Sequence, residues 1–102
     1  METNNATKWR PYAMSGDELA AGQYEVRHGG YLTGDVTRSP DRMVPYDALR
    51  ALEKQGVIGK VHPNMLSASG SMANLSTMQR LGREMGEYLR KEGVDAVLLT
   101  AT

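Results

Sequence analysis

The chain has 102 residues, and Lys plus Arg balances Asp plus Glu at 12 each. A neutral balance lacks the clustered cationic excess on which nucleic-acid affinity rests, and it argues equally against a polybasic membrane binder. There is no cysteine, which excludes disulfides, Cys-ligated metals, iron–sulfur clusters and thiol catalysis within these residues.

The length allows one domain at most, here a partial α/β domain over 1–102, near the lower limit for a self-sufficient core. With no Phe, one Trp and seven Met, the core falls to methionine and aliphatic side chains. The longest run of aliphatic side chains, Ala96 followed by Val97-Leu98-Leu99, is far too short to cross a membrane. The polar start Met1-Glu2-Thr3-Asn4-Asn5 has no apolar stretch of the kind found in signal peptides, so the expected compartment is the cytoplasm.

Residues 1–22 are weakly patterned, and Trp9-Arg10-Pro11-Tyr12 is suited to a partner surface. Ser15-Gly16-Asp17-Glu18 predicts a turn into a short helix from Glu18 to Ala21, stopped by Gly22. Tyr24-Glu25-Val26-Arg27-His28 alternates as a strand does. The next stretch, His28-Gly29-Gly30-Tyr31-Leu32-Thr33-Gly34-Asp35, is rich in glycine. It reads as a surface loop or as a loop shaped around a ligand or partner. It is neither a dinucleotide fingerprint nor a Walker A loop. Thr37 to Arg42 is polar and contains a proline, so it reads as a loop.

Val44-Pro45-Tyr46-Asp47 opens a helix, because proline suits a first turn and Asp47 complements the positive helix end. Leu49 and Leu52, with Ala48 and Ala51, form its apolar face. Arg50, Glu53 and Lys54 are expected in water. Gly56 is placed to stop the helix. Val57 to Val61 is a short strand or an extended connector, ended by His62-Pro63-Asn64.

Ser67-Ala68-Ser69-Gly70-Ser71 reads as a small, hydroxyl-rich loop before a helix. Such a loop either caps the helix or holds an anion at its N–H groups. Asn74 is the candidate cap. Leu75, Met78, Leu81, Met85 and Leu89 recur at helical spacing. Gly82 and Gly86 lie beside that stripe, and their helix cost of up to about 1 kcal/mol each predicts close packing on a neighbour. Gly93 ends the helix. Val94 to Thr102 reads as a buried parallel strand. The expected fold class is therefore α/β, a partial doubly wound, Rossmann-like parallel sheet, truncated after a central strand.

Local chemistry in these residues is sparse. His28 and His62 are the two histidines, without the H-x-x-x-H or H-x-H spacing of a metal site. A trio of Ser69, His28 and Asp35 has no nucleophile elbow to support it.

Several segments taken together resemble a known family: His28-Gly29-Gly30-Tyr31, Asp41 to Leu49, Gly56 to Val61, Met65 to Gly70 and Glu92 to Thr102. The chain looks like the amino-terminal part of the selenoprotein B subunit of the glycine, sarcosine, betaine and D-proline reductases. The phrase Gly-Val-Asp-Ala-Val-Leu-Leu-Thr-Ala-Thr is the most specific part of the likeness. The resemblance implies a catalytic selenocysteine, or cysteine, immediately after Thr102. It therefore implies a truncated, inactive piece of a selenoprotein oxidoreductase of amino-acid fermentation.

It further implies a small amino-acid or amine substrate and a pyruvoyl group carried on a partner subunit. The candidate substrate-binding residues are His28, Ser67, Ser69, Ser71, Thr100 and Thr102, with no metal, and the serines and His28 are candidates for holding a carboxylate. An apolar strand edge without cover also predicts a homo-oligomer. The alternative reading is a small α/β binding or assembly module without catalysis.

Overall fold

The structure, a computed structural model, describes residues 7–20, 22–26, 28–69 and 73–101. They contain strand β1 (Trp9–Ala13), helix α1 (Gly34–Arg38), helix α2 (Tyr46–Lys54), strand β2 (Asn64–Ala68) and helix α3 (Leu75–Lys91). A single 3-10 turn, Pro40–Arg42, lies between α1 and α2. The chain divides into two compact units, one of Met1–Tyr12 with Asn64–Leu98 and one of Ala13–Pro63 with Leu99–Thr102.

The first unit carries the strand pair β1–β2 and helix α3. The strands run antiparallel. Pro11 sits inside β1, which is tolerated because both strands of a two-stranded sheet are edges and a missing N–H need not leave a gap. β2 begins directly after Pro63, where proline pushes the preceding residue into extended backbone. The reading of Ser67 and Ala68 as part of a flexible loop is corrected here. They are strand residues, half-buried like the rest of β2, because backbone pairing outweighs the turn preference of serine. Ser69 follows the strand, while Gly70 and Ser71 lie outside the described residues.

Helix α3 starts and stops where the sequence places it. The Asn74 side chain accepts from the Thr77 N–H at 2.8 Å, satisfying one of the helix's unpaired donors. At the other end Gly93 takes φ +72°, a left-handed conformation that glycine adopts without a Cβ clash. Asn74→Ala should cost about 1 kcal/mol, read as a lower urea midpoint. Asn74→Asp should restore most of it, and an unchanged midpoint in the alanine variant would disprove the cap.

Leu81 is 1% exposed and forms the core of this unit. Met85 and Leu89 are half-buried, whereas Leu75 and Met78 at the start of the stripe are exposed. The expectation of close packing at Gly82 and Gly86 is not met among the described residues. A Cβ built on either meets nothing within 4 Å, so this face of the helix is open.

The opposite flank of α3 is tied to β1. Trp9 lies edge-on to Tyr88, with ring centroids 5.4 Å apart, and its Nε1 donates to Glu84 Oε2 at 3.0 Å. Arg80 donates to Glu84 Oε1 at 2.7 Å and to the Thr7 carbonyl at 2.8 Å. Trp9 is thus occupied within the unit rather than presented bare to a partner. Arg80 first, and Trp9 second, hold the Glu84 carboxyl below the usual glutamate value.

A depressed acid stabilises the fold above its ordinary pKa, about 4.3, and loses that contribution as pH falls through the lowered value. Glu84→Gln should therefore flatten the acid limb of a melting-temperature profile taken between about pH 3 and pH 6. Parallel profiles for the two proteins would contradict the assignment.

The second unit is loop-rich. Leu19 and Tyr46 are each 4% exposed and form its core, and the Tyr46 hydroxyl donates to the Gly16 carbonyl at 3.2 Å. The short helix expected from Glu18 is absent from the described residues. The backbone bends at residues 16–18, with φ +75° at Gly16, and this places Leu19 in the core. Among the described residues the strand expected over 24–28 is reduced to a single bridge residue at Tyr24, and Arg27 lies outside them. Helix α2 matches its expected extent, down to Gly56 at φ +74°, but of its expected apolar face only Leu49 and Leu52 are half-buried, and Ala48 and Ala51 are exposed. Its Arg50 and Glu53 pair with each other and are half-buried rather than in water. Asp17 receives Lys54 at 2.5 Å and Arg50 at 3.5 Å.

Residues 94–101 form no strand. A parallel strand exists only by hydrogen bonding to neighbours in a larger sheet, and none of the described residues supplies one. Val97, Leu98 and Leu99 are accordingly 55%, 59% and 87% exposed.

Candidate functional site

The second unit contains an open cleft of about 520 Å³ lined by Tyr31, Arg42, Met43, Thr100 and Ala101. Three stretches distant in sequence meet there: the glycine-rich loop, the 3-10 turn and the segment after Leu99. The volume lies within the range of small-molecule sites.

Two of the three walls are held from behind. In the glycine loop, the Gly30 N–H donates to His28 Nδ1 at 2.8 Å. An Nδ1 that accepts carries no proton, so the neutral ring's proton resides on Nε2. A Cβ at Gly30 would come within 2.8 Å of His28 Cε1, so a larger residue there would have to displace the exposed imidazole. The His28 and Tyr31 rings are 4.9 Å apart at 43°. His28 thus braces Tyr31, and Tyr31 faces the cleft.

The 3-10 turn supplies the opposite wall. Pro40 is buried, and its carbonyl accepts from Met43 N at 3.0 Å and Val44 N at 3.1 Å. Arg42 N donates to Ser39 O at 3.1 Å. These bonds fix the base from which the Arg42 side chain extends. Arg42 is exposed and forms no ion pair among the described residues. Arg38, Arg50, Lys54 and Arg80, in contrast, all have carboxylate partners.

Of the residues nominated from sequence, Thr100 lines this cleft, while His28 does not line it and instead lies against the Tyr31 ring. Ser67 and Ser69 belong to the strand β2 and the residue after it, in the other unit. Ser71 and Thr102 lie outside the described residues. Tyr31 and Arg42 were not nominated. Tyr31 sits in the glycine loop already singled out, but no local signal marks Arg42, since an arginine's lack of a carboxylate partner is visible only in three dimensions.

The family model of glycine/sarcosine/betaine reductase selenoprotein B matches residues 1–102. The chain belongs to that family. The gamma subunit of glycine reductase complex component B from Symbiobacterium thermophilum is 36% identical over all of this chain and 24% of that protein. The beta subunit of betaine reductase complex component B from Peptoclostridium acidaminophilum is also 36% identical, with the same coverage. The gamma subunit of D-proline reductase from Acetoanaerobium sticklandii is 40% identical over 79 residues, covering 74% of this chain and 32% of that protein.

This selenoprotein B family chain therefore spans about a quarter of the length of the curated relatives it matches. No solved structure matches it significantly. Among the described residues, no helix of this selenoprotein B family member is long and apolar enough to cross a membrane.

Proposed function

We propose that this chain is the amino-terminal part of a B-type subunit of a reductase that cleaves the C–N bond of glycine, sarcosine, betaine or D-proline. The observation carrying this reading is the family match along residues 1–102, with relatives named as glycine, betaine and D-proline reductase components. The cleft supports it, because Thr100 and Ala101 form one wall and lie next in sequence to the place where the resemblance puts the nucleophile.

In this reading the residue after Thr102 is selenocysteine or cysteine. Its anion attacks the carbon bearing the substrate nitrogen. The C–N bond breaks, its electron pair leaves with nitrogen, and the nitrogen takes up a proton. The carbon stays bonded to selenium or sulfur until a dithiol, oxidised to its disulfide, supplies two electrons that cleave that bond, the carbon taking up a proton and the selenol or thiol being regenerated. A selenolate suits the task because it is ionised and strongly nucleophilic at neutral pH, as a lowered-pKa thiolate is. A pyruvoyl group on a partner subunit would hold the amine of an N–H-bearing substrate, and the quaternary nitrogen of betaine, which cannot condense with a carbonyl, would be held otherwise. The 102-residue chain, which has no cysteine, is inactive alone in this reading.

The relatives are named as components of complexes, and the same kind of assembly is proposed for this subunit in the cytoplasm. The exposed Val97, Leu98 and Leu99 favour pairing with further chain, either the rest of the subunit or a second copy. Within the longer subunit, residues 94–101 would become the central strand of a doubly wound parallel sheet.

Reading the nucleotides that follow codon 102 tests the proposal. A TGA codon followed by an in-frame Gly-Thr-Cys stretch is the expected result. An ordinary double stop without a downstream frame would overturn it in favour of a small α/β binding or assembly module.

A further inference from the structure

The cleft contains a cationic side chain with nothing to neutralise it. Arg42 lines the cavity and forms no ion pair among the described residues. A guanidinium remains charged at any physiological pH and presents a planar fork of donors matched to a carboxylate. Beside it are the Tyr31 ring, the Met43 thioether and Thr100. Tyr31 and Thr100 each add a hydroxyl, while Met43 and Ala101 supply apolar wall. No carboxylate side chain lines the cavity. The lining thus has one positive charge, two neutral hydroxyls and a small apolar surface, and its chemical complement is a small monocarboxylate.

We propose that Arg42 is the carboxylate-binding residue of this cleft. It would take the α-carboxylate of a small ammonium carboxylate, with the Tyr31 and Thr100 hydroxyls completing the oxygen contacts. The identity of the ligand class rests on the reductase reading given above, but the assignment of Arg42 comes from the cleft itself. It moves the carboxylate contact away from Ser67 and Ser69. With the carboxylate at Arg42, the rest of the ligand shares the cleft with Thr100 and Ala101, the stretch that the reductase reading puts next to the nucleophile in sequence. A bidentate arginine holds that orientation, whereas a lysine gives attraction without a fixed angle.

The test uses the 102-residue chain itself, by titration with amide chemical shifts as the readout. Three probes separate the parts of the ligand: betaine carries both charges, acetate the carboxylate alone and tetramethylammonium the cation alone. Betaine and acetate should shift the amides of Tyr31, Arg42, Met43, Thr100 and Ala101, and tetramethylammonium should leave them in place.

Arg42→Ala should weaken acetate and betaine binding by about tenfold or more, the size expected for a charge-assisted hydrogen bond to an anion. Arg42→Lys should fall between. Arg42 is exposed, so the spectra of both variants should remain dispersed and otherwise unchanged. Shifts that survive Arg42→Ala, shifts elsewhere in the chain, or no shift with any carboxylate would each overturn the assignment. Amine release by the chain extended past Thr102 decides the reductase reading separately. Activity without Arg42-dependent carboxylate binding would defeat only the present proposal. Arg42-dependent binding without activity in the extended chain would defeat only the reductase reading.

Discussion

The 102-residue chain, supplied with a dithiol reductant and a pyruvoyl-bearing partner subunit, should release no amine from glycine, sarcosine, betaine or D-proline. It contains no cysteine, and the proposed reaction begins with attack by a selenium or sulfur anion. Losing a hydrogen bond to the transition state leaves a slower version of the same reaction. Losing the attacking atom removes the step, and comparable nucleophile removals cost on the order of 10^4- to 10^6-fold in rate. A chain extended through a selenocysteine immediately after Thr102 should recover amine release. Cysteine in that place should recover less, because a thiol is less fully ionised at neutral pH. Alanine there should abolish release. Turnover by the 102-residue chain would refute the nucleophile assignment, and an extended chain indifferent to that alanine would refute it equally.

The largest effect on stability is expected at Leu81. It is 1% exposed on α3, and truncating a side chain buried to this degree removes transfer energy and leaves a cavity, together worth about 2–5 kcal/mol. Small domains are stable by only about 5–15 kcal/mol in total, so Leu81→Ala should remove a large part of the margin. Leu75 provides the control, since it has the same side chain on the same helix but is 73% exposed. Leu75→Ala should change stability by less than about 0.5 kcal/mol. Urea unfolding followed by far-ultraviolet circular dichroism compares the two. Similar losses at both positions would mean that the helix buries a different face.

The two longer helices were legible in the sequence because their signals are local. Asn74, the periodic stripe and Gly93 define α3 within its own residues, and Pro45 and Gly56 do the same for α2. Pairing between strands is not local. Nothing within Asn64–Ala68 names β1 as its partner, and the serines that follow made the segment resemble a loop. At 94–101 composition favours a strand, but no neighbour is present among the described residues to pair with it. The site divides along the same line. The glycine-rich loop that holds Tyr31 stood out by its composition, and Thr100 could be nominated from a family phrase. Arg42 could not, because an arginine in a polar turn looks the same whether or not a carboxylate waits for it across space.

The bare face at Gly82 and Gly86 also bears on how α3 is held. Two glycines four residues apart, with open space where side chains would be, weaken the middle of a helix by roughly 2 kcal/mol relative to alanine. The other face of the same turns carries buried Leu81 and Glu84 tied to Arg80 and Trp9. The middle of the helix is therefore kept in place by tertiary contacts on one side rather than by its own backbone preference. Its order is borrowed from the strand beside it, and the glycine side leaves room for an added methyl group.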